Sequence, residues 1–346
     1  MAGVLEIAQK IETYFATDKF WEYERTLGHG SFGLVVLLSQ KGRGSAGFRM
    51  VVKVALQYGK NELREEIDWL EKVNGAMHIA RLIASSDPDF PNLNNNRFPP
   101  MSWVFDTLAG IQGPIVAMEY IDGGNLLALF YRMEEAGVHM PNRILWSIFL
   151  CMIRACIGMA YPIGAPLTST TSTLETIPSR TPPGPLKHND IALRNMMVGT
   201  AVEEGEHKIG TVFKLIDFGM AHRADPASPD NLFAIAEVLA SFITMKTYPI
   251  KNKEAMYQGS RTRGGYLLLT PQGIPFPWLD PALAGLMAQC LYILPDRRPS
   301  LQEALARASY AVLRKPSNMY PNPQEETDEV IKNFVQNYIL NASPGN

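Results

Sequence analysis

Cysteine is scarce in this chain: Cys151, Cys156 and Cys290 are the only three among 346 residues. Their spacing matches neither a disulfide framework nor a metal-binding knuckle, so a reducing intracellular setting is expected. An excess of one charge is also lacking. With 32 basic against 34 acidic residues, a formal net charge of −2 and no basic tract, the chain has little with which to neutralise a run of phosphates. Nucleic acid is therefore excluded as the main partner. No apolar run makes a convincing membrane span, because the longest, Ile144 to Tyr161, is interrupted by Arg154. The first residues lack the charged and apolar regions of a secretory signal, and Ala2 stands where myristoylation needs Gly. A cytoplasmic or nuclear location is expected. No internal repeat is found at any period.

What the chain does have is apolar mass. At 46% hydrophobic residues, it can bury a large core, and its length favours two lobes over one. Val4, Ile7, Ala8, Ile11 and Phe15 recur at helical spacing, which predicts an N-terminal amphipathic helix packing on the body of the fold. We assign residues 1–19 to this helical extension.

Trp21 to Leu27 leads into Gly28-His-Gly30-Ser-Phe-Gly33-Leu-Val35. A glycine triplet alone is a weak signal, but here it returns into the aliphatic, β-branched run Leu34 to Leu38 rather than into a helix. A hairpin is expected, not a dinucleotide-binding turn. Met50-Val51-Val-Lys53-Val-Ala reads as a buried strand carrying a single lysine, whose lost hydration requires a compensating anion. The helix-forming run Asn61 to Val73 comes next, and Glu66 in its Arg-Glu-Glu-Ile segment is the favoured partner. Residues 84 to 113, rich in Pro, Asn and Asp, predict a long surface loop. Pro114 to Met118 predicts a strand, and Glu119-Tyr-Ile121-Asp-Gly-Gly a hinge between lobes.

Helical patterns run from Leu126 to Glu135 and from Pro141 to Tyr161. The Ser, Thr and Pro-rich stretch 162–186 predicts a flexible insertion. Then comes His188-Asn-Asp190-Ile-Ala-Leu-Arg194-Asn195-Met-Met197, suited to a loop between short strands. Phe213-Lys-Leu-Ile-Asp217-Phe-Gly reads as a strand that delivers a carboxylate into a turn. Asp190, Asn195 and Asp217 together offer one proton acceptor and two oxygen ligands for a hard divalent cation, the set that phosphoryl transfer from a nucleotide needs. Further helices are expected from Asp230, from Pro281 and from Leu301. The tail predicts one more, with Val330, Ile331, Phe334, Val335, Tyr338 and Ile339 on one face.

In order, these features are a glycine-rich hairpin, a strand lysine, a helix glutamate, a hinge, His-x-Asp-x-x-x-x-Asn and Asp-Phe-Gly. That order resembles the eukaryotic protein kinase family over residues 20 to 315. The resemblance implies an α+β, bilobal fold: a small, mostly β N-lobe (20–121), a larger, mostly α C-lobe (122–315) and a tail (316–346). It implies that Gly28, Gly30 and Gly33 cover the phosphates of ATP, and that Lys53 holds the α- and β-phosphates while pairing with Glu66. Met118 would be the gatekeeper, Glu119 and Ile121 would offer backbone groups to adenine, and Leu27, Val35, Val51 and Met197 would sandwich the ring. Asp190 would accept or orient the hydroxyl proton, and Asn195 and Asp217 would hold Mg²⁺. Arg194 matches the tyrosine-kinase form of the loop and would neutralise γ-phosphate charge, whereas Asp230 and Arg298 match structural positions.

Departures from the family pattern bear on the acceptor. Asn189 replaces the arginine that usually precedes the catalytic Asp, only ten residues separate Gly219 from Asp230, and no Ala-Pro-Glu motif is present. The expected activity is ATP- and Mg²⁺-dependent phosphotransfer to a hydroxyl, with a protein Ser, Thr or Tyr as the favoured acceptor. The alternatives are a small-molecule kinase of the choline or aminoglycoside kind, whose loop His188-Asn-Asp190 also resembles, and a nucleotide-binding pseudokinase scaffold. The oligomeric state is not legible.

Overall fold

The structure, a computed structural model, describes residues 2–30, 33–42, 47–56, 58–87, 113–201, 205–208, 210–247, 254–268 and 273–340. Most of the predicted loop 84–113 lies outside these. The fold is α+β, and the chain divides into two compact units. The first comprises Met1–Tyr120, Ile163–Thr173 and Asp217–Ala221; the second comprises Ile121–Pro162, Leu174–Ile216 and His222–Asn346.

In the first unit, β1 (Trp21–His29), β2 (Gly33–Gln40), β3 (Arg49–Ala55), β4 (Leu82–Ser86) and β5 (Ile115–Glu119) form an antiparallel sheet. Their order is β1-β2-β3-β5-β4. Side chains alternate between its faces. Met50, Val52 and Val54 of β3 enter the core, whereas the intervening Val51 and Lys53 are less buried. Helix α1 (Ala2–Thr17) supplies Ile11 and Phe15 to the same core, beside Trp21, Leu34 and Val36. It is therefore part of the first unit rather than an extension at 1–19. Asp18 fixes its exit by accepting hydrogen bonds from the Phe20 and Trp21 amides, both at 2.8 Å. Helix α2 (Lys60–Val73) buries Leu63, Ile67, Leu70 and Val73 on one stripe, together with Glu66.

The second unit is mostly helical: α3 (Leu126–Ala136), α4 (Asn142–Ala160), α5 (Ala227–Thr244), α6 (Pro281–Cys290), α7 (Leu301–Leu313) and α8 (Asp328–Phe334). Helix α4 is apolar on all sides and accordingly becomes a core helix. It is the one described helix long and apolar enough to cross a membrane, and 89% of its apolar window is buried within the fold. The cation in its middle, Arg154, is neutralised there. Nε donates to Glu206 Oε2 at 3.0 Å and Nη2 to Oε1 at 2.5 Å. Short strands β6 (Leu186–Lys187) and β9 (His222–Arg223) pair with each other, as do β7 (Met196–Ala201) and β8 (Thr211–Leu215).

Two further expectations need correction. Segment 162–186 is not a free insertion. In the first unit, Thr173 N donates to Gly75 O at 2.7 Å, Met77 N to Thr173 O at 3.1 Å and Asn74 Nδ2 to Ala165 O at 3.0 Å. In the second, Gly184 N donates to Ala160 O at 2.7 Å, and Arg154 Nη1 donates to Glu175 O. Its low-complexity composition hides these partners because they lie far away in sequence. The tail is likewise not one regular helix, since α8 passes into a π-helical stretch, Val335–Leu340. Ile331, Phe334, Val335 and Ile339 are buried there, but Val330 is exposed.

Candidate functional site

In the first unit, β1 and β2 form the expected hairpin, closed by Gly30 N donating to Gly33 O at 3.0 Å. Leu27 and Gly28 lie on β1; Gly33 and Val35 lie on β2, where Val35 pairs in register with Lys53. Val51 stands opposite Met118 of β5, and Glu119 ends that strand. The Glu119 amide donates to Arg81 O at 3.0 Å, and its carboxylate accepts from the Arg81 amide at 2.8 Å. The role implied for Glu119 is thus restricted to its carbonyl, because the amide is engaged.

Lys53 Nζ donates to Glu66 Oε2 at 2.7 Å and to Asp217 Oδ1 at 2.9 Å. Glu66 is the partner that the sequence favours, and the structure brings it to Lys53; Asp217 joins them from 164 residues away. Burial works against the Lys53 ammonium, yet the two carboxylates outweigh it and raise its pKa. Burial raises that of Glu66, opposed mainly by Lys53 and reinforced by the like charge of Asp217. The two shifts are compatible, because one ammonium between two carboxylates leaves a net negative charge. The lysine stays protonated, and the more buried carboxylate carries the strain. Asp217 adopts a left-handed φ of +64°, a conformation that Asp tolerates better than most residues. A Cβ on Gly219 would meet Asp217 Oδ1 at 3.3 Å and Glu66 Oε2 at 3.4 Å, so glycine lets the turn close over the cluster.

In the second unit, the loop between β6 and β7 carries the other half of the predicted set. His188 is fully buried. Its amide donates to Asn231 Oδ1 at 3.1 Å, and Asp190 N donates to its Nδ1 at 3.3 Å. That leaves Nε2 as the protonated nitrogen, which donates to Ile216 O at 3.1 Å. Asn189 has φ +63°, and Asn is well suited to that left-handed position. Asn195, in the 3₁₀ turn Leu193–Asn195, donates through Nδ2 to Asp190 O at 2.8 Å and to Oδ2 at 2.9 Å. Arg194 Nη2 donates to Asp190 Oδ1 at 2.5 Å. Both Asp190 carboxylate oxygens are therefore held by local donors. Ile121 and Met197 belong to this second unit, Met197 on β7 opposite Lys214.

Asp230, near the start of α5, accepts from Lys187 Nζ at 2.8 Å and from Arg298 Nη1 at 2.9 Å. Partial burial opposes its charge, but those two cations prevail and lower its pKa. Arg298 also donates to Pro229 O and Tyr292 O, both at 2.9 Å. Beside this cluster lies a cavity of about 400 Å³, lined in part by Asp190, Lys187, Phe233, Glu237 and Arg263. A second, of about 270 Å³, is lined by Ile191, Arg194 and Glu237 among others. Sequence reasoning misses Lys187, Glu237 and Arg263, since an isolated charge in a loop or helix reads as a solvated face. Compared with the models of known protein families and with curated proteins, the chain matches none.

Proposed function

We propose that this protein is an ATP- and Mg²⁺-dependent phosphotransferase with a protein-kinase-like fold. The observation that carries the reading is the Lys53 ammonium bonded to both Glu66 and Asp217, in a chain that supplies a glycine hairpin, a strand, a helix and an Asp-Phe-Gly turn in that order. A lone catalytic-looking motif is weak; a largely buried cation, its side chain 12% exposed, with two carboxylates from distant segments is more specific.

The residues present fit the two cofactors. A Cβ built on Gly28 or Gly30 meets nothing within 4 Å, so the hairpin backbone is open to close approach by phosphates. Lys53 supplies the cation for them. Asp217 in the first unit, its side chain 44% exposed, and Asn195 in the second would each offer an oxygen donor of the kind a hard cation prefers. Bound Mg²⁺ would neutralise phosphate charge and offset the negative excess that Glu66 and Asp217 leave around Lys53. Asp190 accepts the acceptor's hydroxyl proton as the hydroxyl oxygen bonds to the γ-phosphorus and the bond to ADP breaks, the electron pair leaving with ADP. Arg194 and Asn195 hold Asp190 in position for this.

The family resemblance favours a protein hydroxyl as acceptor. One observation favours a second reading, a small-molecule acceptor: a cavity lined by Asp190 itself, in a chain whose segment from Gly219 to Asp230 is short. The primary test is thermal unfolding with ATP, with and without Mg²⁺, followed by transfer of labelled phosphate to the protein, a peptide library and small alcohols. A ligand at a hundredfold excess over Kd should stabilise by about 2.7 kcal/mol. Absence of any Mg²⁺-dependent ATP stabilisation would overturn the reading.

A further inference from the structure

The cavity beside Asp190 has a charge pattern of its own. Three cations (Lys187, Arg263 and Arg298) and three carboxylates (Asp190, Asp230 and Glu237) line it, and Asp190 is in addition paired with Arg194. Lys187 and Arg298 are both committed to Asp230, and Arg194 to Asp190. Burial pushes the Tyr266 hydroxyl far up, and the charge of Glu237 adds to that push. Arg263 is different. It is half-buried, its guanidinium sits over the Phe233 ring at 5.7 Å, and among the described residues it makes no ion pair.

The backbone that presents Arg263 is held firmly. Thr262, fully buried, donates through its hydroxyl to Ala288 O at 2.6 Å and accepts from Gly264 N at 2.9 Å. Arg263 N donates to Leu291 O at 3.0 Å. A Cβ on Gly264 would meet Ala288 Cα at 2.9 Å, so only glycine allows this close approach to α6. A half-buried guanidinium without a carboxylate is costly. Its planar fork matches a carboxylate or phosphate in two parallel hydrogen bonds. The cavity volume lies near the lower end of the range for small-molecule sites, about 300–1,000 Å³.

We infer that this cavity is the acceptor site of the proposed phosphotransfer, and that it takes a small hydroxyl-bearing anion whose carboxylate or phosphate is held by Arg263. The inference rests on the phosphotransferase reading and names the acceptor class for it. The acceptor's hydroxyl oxygen bonds to the γ-phosphorus, its proton passes to Asp190, and ADP departs with the electron pair of the broken bond. Phe233 offers the guanidinium a flat face, which helps keep the fork in one plane.

The test uses the full chain saturated with ADP and Mg²⁺, titrated with inorganic phosphate, acetate and, as a cationic control, choline. Thermal unfolding reads binding independently of turnover. Stabilisation by phosphate or acetate, but not choline, is expected in the wild type, and which of the two is stronger identifies the anionic group. Arg263→Ala should weaken that anion effect at least tenfold and leave the nucleotide-induced shift in place; Arg263→Lys should retain part of it. ADP release from ATP should then follow glycerate or glycerol 3-phosphate in preference to glycerol. No anion effect in the wild type, or equal effects in wild type and Arg263→Ala, would overturn the inference. So would ADP release on peptides alone, unaffected by Arg263→Ala, and that outcome would leave the phosphotransferase reading standing. Loss of the nucleotide-induced shift in the wild type would instead remove the phosphotransferase reading itself.

Discussion

Arg194 reaches back four residues to donate to Asp190 Oδ1 at 2.5 Å, while Asn195 holds Oδ2 of the same carboxylate at 2.9 Å. The proposed base is thus aimed by its own loop. The substitution Asp190→Asn is expected to cut turnover by about 10²–10⁴-fold, the usual contribution of a positioned acid or base. ATP-induced stabilisation should persist. Arg194→Ala, which frees one carboxylate oxygen, should cost about tenfold, with Arg194→Lys intermediate because a point charge cannot reproduce the guanidinium geometry. Initial rates at saturating ATP check this; undiminished turnover in Asp190→Asn removes that residue from the chemistry.

Lys53 lies between two carboxylates, and its removal takes the shared ammonium from both. Glu66 is 1% exposed, so Lys53→Met is expected to destabilise the protein by about 3–5 kcal/mol, as breaking a buried ion pair typically does. Most of that cost comes from uncompensated charge. Adding Glu66→Gln to Lys53→Met should therefore recover part of the loss. Denaturant titration of the single and double variants decides it. A double variant less stable than Lys53→Met would show that packing, not charge, dominates this cluster.

The sequence exposes this cluster because its charged residues stand out against an apolar background. Lys53 among Met50, Val51, Val52 and Val54, and Asp217 after Phe213-Lys-Leu-Ile, can each be read from neighbours alone. The strand–glycine–strand hairpin is legible for the same reason. What stays hidden depends on contacts between distant segments. Nothing near Thr173 indicates its bonds to the Gly75–Met77 turn, and nothing near Arg263 indicates that Gly264 lets it approach α6. The π-helical stretch at Val335 is hidden as well, because Ile331, Phe334 and Val335 fit an ordinary helical stripe.

Arg298 and Asp230 anchor the loop that carries Asp190. Arg298 is nearly buried and donates to three carbonyl groups as well as to Asp230. Arg298→Ala is expected to cost on the order of 3 kcal/mol. The folded pKa of Asp230 is lowered, so its contribution is complete above the ordinary value of 3.8 and is lost as pH falls through the lower folded value. The stability gap between wild type and Arg298→Ala should accordingly narrow below about pH 4. A gap independent of pH down to acid unfolding would assign the loss to the carbonyl contacts alone.

The tail is joined to α4 by a carboxylate that works in the opposite direction. Glu326 Oε1 accepts from the Asn142 amide at 2.7 Å and Oε2 from the Arg143 amide at 3.0 Å. It thereby caps a helix whose own N-cap, Pro141, makes no side-chain cap bond. Burial raises the Glu326 pKa above its ordinary 4.5, with the Arg143 and Asn142 donors opposing the rise. A carboxyl with a raised folded pKa binds more protons in the native state. Stability therefore falls as pH rises from 4.5 through the higher folded value, and levels off beyond it. Glu326→Gln should flatten part of that slope, the remainder belonging to Glu66 and Glu71, which shift the same way. It should also cost about 1–3 kcal/mol, because an amide NH₂ then faces one of the donating groups. Unfolding free energies measured from about pH 4 to about pH 8 capture both effects. An unchanged slope in Glu326→Gln would mean that the helix cap, although formed by an acid, carries no pH dependence of its own.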